Sequence, residues 1–304
     1  MRVGIFVSET WDGASDVAQV RERARRAEAL GFPTGWVPYL PWSCDALASV
    51  QAAGQVTTSI ELGTAVIPTY LFHPLALARQ AATVQAAIDR PIALGIGCSN
   101  EAVIAMHGLP YERPARHVRE YLEVLEGAFG SAGQVAYEGE IFRVQSMYDV
   151  PGAGPRGPLL VGGLGPQMLR AAGACSDGTL ATWCDAGAME RVIGPGVREA
   201  AAAAGRPEPW VGAVVPVLVT HDPSAARDYA ARKFAVYETL PRYKRVMQLG
   251  DAAGVADVCV IGDEGTIRSA LGRFADAGLT DFLAAPLAFG EATWERTAEC
   301  LAAF

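Results

Sequence analysis

Short apolar runs alternate with helical patterns along the whole chain, and this alternation constrains the fold more than any other feature. The runs predict eight β-strands, at residues 3–7, 35–38, 60–67, 92–96, 159–162, 179–183, 211–220 and 281–285. Eight helices are predicted between and after them, at residues 15–30, 45–57, 74–88, 114–129, 166–175, 188–204, 224–249 and 266–277. Ser15, Pro74 and Pro166 are typical of helix starts, and Gly31 and Gly278 stand just past helix ends. Strands and helices that alternate in this way form parallel sheets with the helices outside.

Eight such units in 304 residues are most simply a closed (β/α)8 barrel, the TIM barrel, with roughly 50 residues beyond its common size. The excess falls in two insertions, at about 130–157 and 229–262. Residues 135–144 alternate like a hairpin strand in the first, and an extended run at 257–261 follows a second helix in the second. No linker composition interrupts the chain, so we expect residues 1–304 to form a single barrel domain with these insertions.

Charge and hydropathy exclude several classes of partner. The sequence has 33 Asp and Glu residues against 25 Lys and Arg residues, so its net charge is −8. Its Lys and Arg residues form no basic cluster of the kind that binds nucleic acid. The longest uncharged run, residues 62–78, contains two prolines and is shorter than the about 20 apolar residues that a membrane-spanning helix needs. The N-terminus enters a strand at once, without a signal-peptide pattern. We therefore expect a cytoplasmic protein with neither a nucleic-acid nor a membrane partner.

Several catalytic classes lack the residues that they need. The six cysteines and four histidines show no metal-ligand spacing, so we expect no metal. Both lysines, Lys233 and Lys244, fall within the seventh predicted helix, which argues against a Schiff-base enzyme. A glycosidase with paired carboxylates remains a weak alternative, because four acidic residues lie near predicted strand ends. They are Glu9, Asp12, Glu101 and Asp185.

In a TIM barrel the chemistry belongs at the C-terminal ends of the strands. Residues 159–166 (LLVGGLGP) run from a strand through glycines into a helix, a pattern that suits either an anion site or tight packing. Residues 94–100 (LGIGCSN) leave room for a planar ring, or form an ordinary strand exit capped by Ser99. Gly63 inside the third strand indicates a bulge or a close backbone approach.

These segments, in this order, resemble the luciferase-like superfamily, and within it the oxidoreductases that use the deazaflavin cofactor F420. The most specific stretches are residues 62–74, 94–100, 109–125 and 159–177. The resemblance implies a third strand that bulges, often through a non-prolyl cis peptide, at Ala65 and Val66 behind the cofactor ring. It places the ring edge near Gly97, Cys98 and Ser99, and the cofactor phosphate against Gly162, Gly163, Leu164 and Gly165. Ser8, Thr64 and Trp183 complete the expected cofactor contacts.

The sequence departs from the F420-dependent sugar-phosphate dehydrogenases of this superfamily. Those enzymes carry an Asp-His pair after the second strand and a glutamate after the fourth, where this chain has Val37-Pro38-Tyr39 and Asn100. Sugar-phosphate oxidation is therefore not expected. Tyr39, Trp42 and Asn100 are the candidate catalytic residues, in a pocket that Trp11, Trp183 and Ser99 complete. Aromatic walls and hydrogen-bond donors suit reduction of an unsaturated acceptor, with a proton from Tyr39 or water.

Three hypotheses follow. The first is an F420H2-dependent reductase that transfers a hydride to a C=C or C=N bond of a small or natural-product substrate. The second is an FMN-dependent monooxygenase of the same fold, and the third is a non-catalytic flavin- or deazaflavin-binding protein. The resemblance also implies a homodimer. Outside the site, His73 is interpreted as a helix cap, and Arg116 and Glu120 as a surface pair four residues apart on one helix.

Overall fold

The computed structural model describes residues 1–8, 11, 15–130, 133–290 and 293–304. The strands are β1 Arg2–Phe6, β2 Thr34–Val37, β3 Glu61–Thr64, β4 Ile67–Pro68, β5 Leu94–Gly97, β6 Gly133–Glu138, β7 Arg143–Tyr148, β8 Leu159–Gly162, β9 Gly178–Thr182, β10 Trp210–Val219, β11 Val260–Gly262 and β12 Asp281–Pro286. The α-helices are α1 Val17–Ala29, α2 Ala46–Gly54, α3 Pro74–Ile88, α4 Glu101–Ala105, α5 Pro114–Gly130, α6 Pro166–Cys175, α7 Ala186–Ala188, α8 Gly194–Ala203, α9 Pro223–Thr239, α10 Pro241–Leu249, α11 Glu264–Asp276 and α12 Trp294–Ala302. Short 3-10 turns lie at Thr69–Leu71 and Val255–Val258, and a π-helical turn at Met189–Ile193.

The main sheet is a parallel barrel. Its strand order is β3-β2-β1-β12-β10-β9-β8-β5-β4, with the short β11 beside β10. Because β3 and β4 are consecutive pieces of chain at the two ends of this order, the sheet returns on itself. A parallel bridge between Gly63 and Ala93 closes the seam. Beside it the Thr64 hydroxyl donates to the Gly95 carbonyl and accepts from the Gly95 N–H. The predicted TIM barrel is confirmed.

A distinct cluster of buried side chains fills the barrel interior. It consists mainly of strand residues, namely Phe6, Trp36, Leu160, Leu180, Val214 and Leu283. Side chains alternate across a strand, so the residues between these positions face outward. The outward positions join helix residues such as Val20, Leu77 and Leu122 in a larger cluster between the sheet and the helices.

Four local predictions are corrected by the structure. The third strand, predicted at 60–67, is divided into β3 and β4 by the cis peptide between Ala65 and Val66. The single hairpin strand predicted at 135–144 is two antiparallel strands, β6 and β7. The helix predicted at 224–249 ends at Thr239, and Pro241 starts α10 because proline suits the first turn of a helix. The helix predicted at 188–204 starts at Ala186 and contains the π-helical turn.

The helix caps also differ in part from expectation. Pro74 and Pro166 begin helices as predicted, and the Nδ1 of His73 accepts from the N–H of Leu75 as a cap. The cap of α1 is Asp16, not Ser15, because Asp16 and Gln19 form a reciprocal capping box. Helices α4 and α12 lie outside the predicted helices. Helix α4 has only five residues, whereas α12 buries Trp294, Ala298 and Leu301 at helical spacing, a pattern that the prediction missed.

Glu120 is wrongly interpreted as part of a surface pair. Its side chain is 2% exposed, and its carboxylate accepts hydrogen bonds from the N–H groups of Glu140, Ile141 and Phe142 in the β6–β7 turn. Arg116 lies 3.9 Å away. Although burial opposes ionisation, the backbone hydrogen bonds hold the pKa of Glu120 below its ordinary value. Glu120 therefore fixes the inserted hairpin to α5.

Candidate active site

Two cavities share a wall at the C-terminal ends of the strands. The small cavity has a volume of about 150 Å³ and lies over the barrel interior against Phe6 and Val214. The large cavity has a volume of about 540 Å³ and extends outward to the start of α6. Four residues line both cavities, namely Val66, Ser99, Thr182 and Tyr243. A ligand that fills the large cavity would therefore meet a second ligand in the small one at these residues.

The bulge after β3 forms the wall between the cavities. The Ala65–Val66 peptide is cis, at the position that the resemblance implied. Both residues line the small cavity, and Val66 also lines the large one. A β-carbon on Gly97 would lie 2.9 Å from Val66 Cγ2, and one on Gly162 would lie 3.1 Å from it. These two glycines therefore leave the space that the Val66 side chain occupies.

The turn between β8 and α6 opens into the large cavity. Gly162, Gly163, Leu164 and Gly165 all line it. A β-carbon on Gly163 would come within 2.5 Å of Met168, whereas one on Gly165 would meet nothing within 4 Å. Gly165 is the N-cap of α6, and no side chain caps that helix end. The first N–H groups of α6 lack acceptors in the helix itself, so this end suits an anion.

A polar cluster closes the inner side of the large cavity. Ser99 has a left-handed backbone with φ of 58°, and its carbonyl accepts from Arg242 Nη1 at 2.5 Å and from the Tyr111 hydroxyl at 3.2 Å. Arg242 Nη2 donates to the same hydroxyl at 2.8 Å, and Cys98 Sγ lies 3.2 Å from it. Burial, followed by the nearby Cys98 thiol, raises the pKa of Tyr111. This cluster ties α10 to the end of β5.

The small cavity has no charged side chain in its described lining, and its hydrogen-bond donors include the phenols of Tyr39 and Tyr243 beside the hydroxyls of Ser99 and Thr182. Tyr39 packs edge-on against Phe72 at 6.0 Å between ring centroids. Burial, followed by the charge of Asp45, raises the pKa of Tyr39, and burial raises the pKa of Tyr243 to about 12. Both hydroxyls are therefore protonated at neutral pH and available as donors.

Sequence reasoning missed Tyr111, Arg242, Tyr243 and Thr182. Arg242 and Tyr243 fell inside a predicted helix, and Tyr111 inside the 109–125 stretch, with no local motif to mark them. Arg242 and Tyr243 lie on α10, inside the second insertion predicted at about 229–262. The break at Pro241 is the one local signal that could have separated Arg242 and Tyr243 from the preceding helix.

The remaining predicted site residues lie outside the linings of both cavities. Ser8 and Thr64 are buried, and Thr64 hydrogen-bonds with the backbone of Gly95 at the barrel seam. Trp183 is 1% exposed and stacks on Tyr237 with 4.1 Å between ring centroids. Trp42 is 56% exposed.

Asn100, and not Ser99, caps the helix that follows β5. The Asn100 side chain accepts from the N–H of Val103 at 3.0 Å. The cap keeps this polar side chain at the start of α4, outside the linings of both cavities.

The acids of the glycosidase alternative are only partly described. Glu101 lies in the first turn of α4. Asp185 accepts from the N–H groups of Ala188 and Asp251. Glu9 and Asp12 lie outside the described residues. Nothing in the described part of the chain brings three or more His, Cys, Asp or Glu side chains together as a metal site. Among the helices that the structure describes, none has the length and apolar character to cross a membrane.

The profile of a family described as luciferase-like monooxygenase matches residues 1–281. The F420-dependent glucose-6-phosphate dehydrogenase of Mycobacterium tuberculosis (strain ATCC 25618 / H37Rv) is 29% identical over 221 residues, 66% of this chain and 64% of that enzyme. The chain thus spans just under two thirds of that relative's length.

Two solved structures share the whole fold. The coenzyme F420 dependent tetrahydromethanopterin reductase from Methanopyrus kandleri superposes with a TM-score of 0.77 at 21% identity, over 99% of this chain and 97% of that one. Monooxygenase RslO1 from Streptomyces bottropensis superposes with a TM-score of 0.79 at 18% identity, over 100% and 98%. These similarities confirm the luciferase-like form of the barrel.

Proposed function

The chain belongs to the luciferase-like monooxygenase family, and from that premise we propose that it is an F420-dependent oxidoreductase that reduces a C=C or C=N bond of a small, uncharged substrate. One observation carries the proposal. A cavity suited to a long anionic ligand meets a smaller, uncharged aromatic cavity at the Val66 bulge. The relationship to F420-dependent enzymes at 29% identity supports the choice of cofactor.

The residues present fit such a cofactor. The large cavity ends at the uncapped N-terminus of α6, where Gly165 leaves open space for a phosphate beside the first N–H groups. Val66 lies behind the position where the two cavities join, against Gly97 and Gly162. We assign ring contacts to Ala65, Val66 and Ser99, and phosphate contacts to the turn from Gly162 to Gly165.

Ser8, Thr64 and Trp183 are buried outside both cavities. Trp183 packs against Trp11 of the small cavity, with 5.0 Å between ring centroids, and would support that wall from behind. Asn100 would hold the end of β5 through its cap on α4.

When bound, reduced F420 supplies the hydride that an unsaturated acceptor takes up. The chain's own residues provide the surroundings for that transfer. Tyr39 and Tyr243 would hydrogen-bond to the heteroatom of the acceptor and supply a proton at their phenol oxygens. The aromatic and apolar walls, which include Phe6 and Trp11, would exclude water from the small cavity once cofactor and acceptor are bound.

The small cavity also limits the class of substrate. Its volume of about 150 Å³ and its uncharged described lining offer no counter-charge for a phosphate. A sugar phosphate, the substrate named for the Mycobacterium tuberculosis relative, would therefore bury its charge there without a partner, which is strongly unfavourable. A neutral acceptor that is unsaturated and largely apolar suits the walls.

Fluorescence titration of the purified protein with F420, and separately with FMN, tests the proposal. Preferential micromolar or tighter binding of F420, followed by oxidation of F420H2 with a panel of enones and imines, is the expected result. Preference for FMN with oxygen consumption would replace the proposal with a monooxygenase. Tight F420 binding without turnover of any acceptor would favour a non-catalytic binding protein, and binding of neither cofactor would refute the assignment.

We also propose that the chain is a cytoplasmic homodimer and that residues 1–304 form one domain. Light scattering during size-exclusion chromatography would test the dimer, and cell fractionation the location. Limited proteolysis would test the domain: cleavage confined to the two insertions is expected of one barrel domain, and a stable half-length fragment would contradict it.

A further inference from the structure

The lining of the large cavity is positively charged, although the protein as a whole is negatively charged. The chain carries a net charge of −8. Yet Arg170 and Arg242 line this cavity, and its described lining includes no Asp or Glu. The open N-terminus of α6 adds a further partial positive charge at the same end. A pocket of this polarity selects anionic ligands.

Neither arginine is neutralised by a carboxylate in the described structure. Eleven other arginines form the ion pairs found among the described residues, for example Arg156 with Asp177. Arg242 instead donates to the Ser99 carbonyl and the Tyr111 hydroxyl, which fixes it on the inner wall. Arg170 is exposed on α6 and is absent from those ion pairs. Its charge is available to a ligand at the outer end of the cavity.

A single phosphate group on the ligand would not explain why Arg170 lines this cavity. The first turn of α6 supplies N–H donors for a phosphate, and Arg170 lies on the next turn of the same helix. A cation near the N-terminus of a helix adds to the positive end of its dipole, so the helix itself gains nothing from Arg170. A second anionic group on the ligand, farther out than the phosphate, would give Arg170 a partner of opposite charge.

We propose that Arg170 is a specificity-determining residue that binds the carboxylates of the F420 tail. This inference rests on the proposed function. F420 carries a lactyl group and glutamate residues beyond its phosphate, whereas FMN ends at its phosphate. Arg170 therefore discriminates between the two cofactors by the anionic groups that follow the phosphate.

The test is a set of fluorescence titrations at low and at physiological ionic strength. The ligands are F420 with an oligoglutamate tail, F420 without glutamates, and FMN. Arg170→Met should weaken binding of tailed F420 about fivefold, the effect of about one exposed ion pair. The same variant should leave FMN binding within about twofold and reduce the salt dependence for tailed F420. Arg170→Lys should retain most of the affinity, because it keeps the charge.

Arg25→Met, on an exposed face of α1, is the matched control and should change nothing. Equal weakening for FMN and tailed F420 would show that Arg170 binds the phosphate, and would overturn the inference. Binding of F420 that Arg170→Met leaves unchanged would overturn it while leaving the proposed function in place. Failure of the unmodified protein to bind F420 would overturn the proposed function and this inference together. Thermal unfolding of each variant identifies any loss of fold.

Discussion

Replacing Gly97 with alanine should weaken cofactor binding by displacing Val66, the apolar side chain that lines both cavities. The added β-carbon would lie 2.9 Å from Val66 Cγ2. Carbon atoms in contact are normally about 3.5–4.0 Å apart, so the two atoms would overlap by roughly 0.6–1.1 Å. A β-branched side chain has few rotamers to escape into, and overpacking of this kind costs about 1–3 kcal/mol. If about 1.4 kcal/mol of that cost is taken from the free energy of cofactor binding, the affinity falls tenfold.

The assay is the F420 titration, with thermal unfolding in parallel. Val66→Ala removes the overlapping methyl group, so the Gly97→Ala/Val66→Ala double variant should recover affinity relative to Gly97→Ala alone. Gly272→Ala is the control, because a β-carbon there meets nothing within 4 Å, and it should leave cofactor affinity unchanged. An unchanged dissociation constant for Gly97→Ala, or a double variant no better than the single one, would refute the reasoning.

Other side chains allow three more tests. Glu120→Gln should lower the free energy of unfolding by about 2 kcal/mol in urea at pH 7, because charged acceptors of backbone N–H groups are lost. The pKa of Glu120 is below its ordinary value, so the difference from wild type should shrink as pH falls through that lowered pKa. Tyr39→Phe should slow reduction of an accepted enone about 100-fold with unchanged F420 affinity, because Tyr39 lines only the small cavity. Tyr243→Phe should slow the same reaction; unchanged stopped-flow rates in both variants would exclude a phenol as the proton donor. Burial lowers the pKa of His117 to about 4, below about 6.5 in the unfolded chain, so stability should fall between about pH 6.5 and pH 4; His117→Phe should flatten that part of the profile.

The barrel could be predicted from sequence because its signals are local. Each strand is a short apolar run, and prolines such as Pro74 and Pro166 mark the starts of helices by their own geometry. The cis peptide at Ala65–Val66 was expected only through the family resemblance, since no local pattern distinguishes it. Local signals failed for Glu120, because spacing along one helix suggested Arg116 as its partner. Its actual partners lie in a hairpin turn about twenty residues later.

Only the part of the candidate site that the strand ends provide could be predicted from the sequence. Residues at the strand ends, such as Tyr39 and Ser99, were found because a barrel places its chemistry there. Arg242 and Tyr243 reach the same cavities from α10, and their approach depends on how the second insertion folds back over the barrel. That path is set by tertiary contacts such as the one from Arg242 to Ser99, which no periodicity reveals.

The sequence of the β8–α6 turn is compatible with tight packing and with anion binding. The structure distinguishes these two roles glycine by glycine. None of the glycines in this turn has a positive φ, so space rather than backbone conformation requires them. Val66 takes the space beside Gly162, and Met168 takes the space beside Gly163. Only at Gly165 does the missing side chain leave room that no neighbour fills, and it does so at the uncapped end of α6. Packing therefore explains two of the glycines, and the capacity to hold an anion depends on the third together with the first N–H groups of the helix.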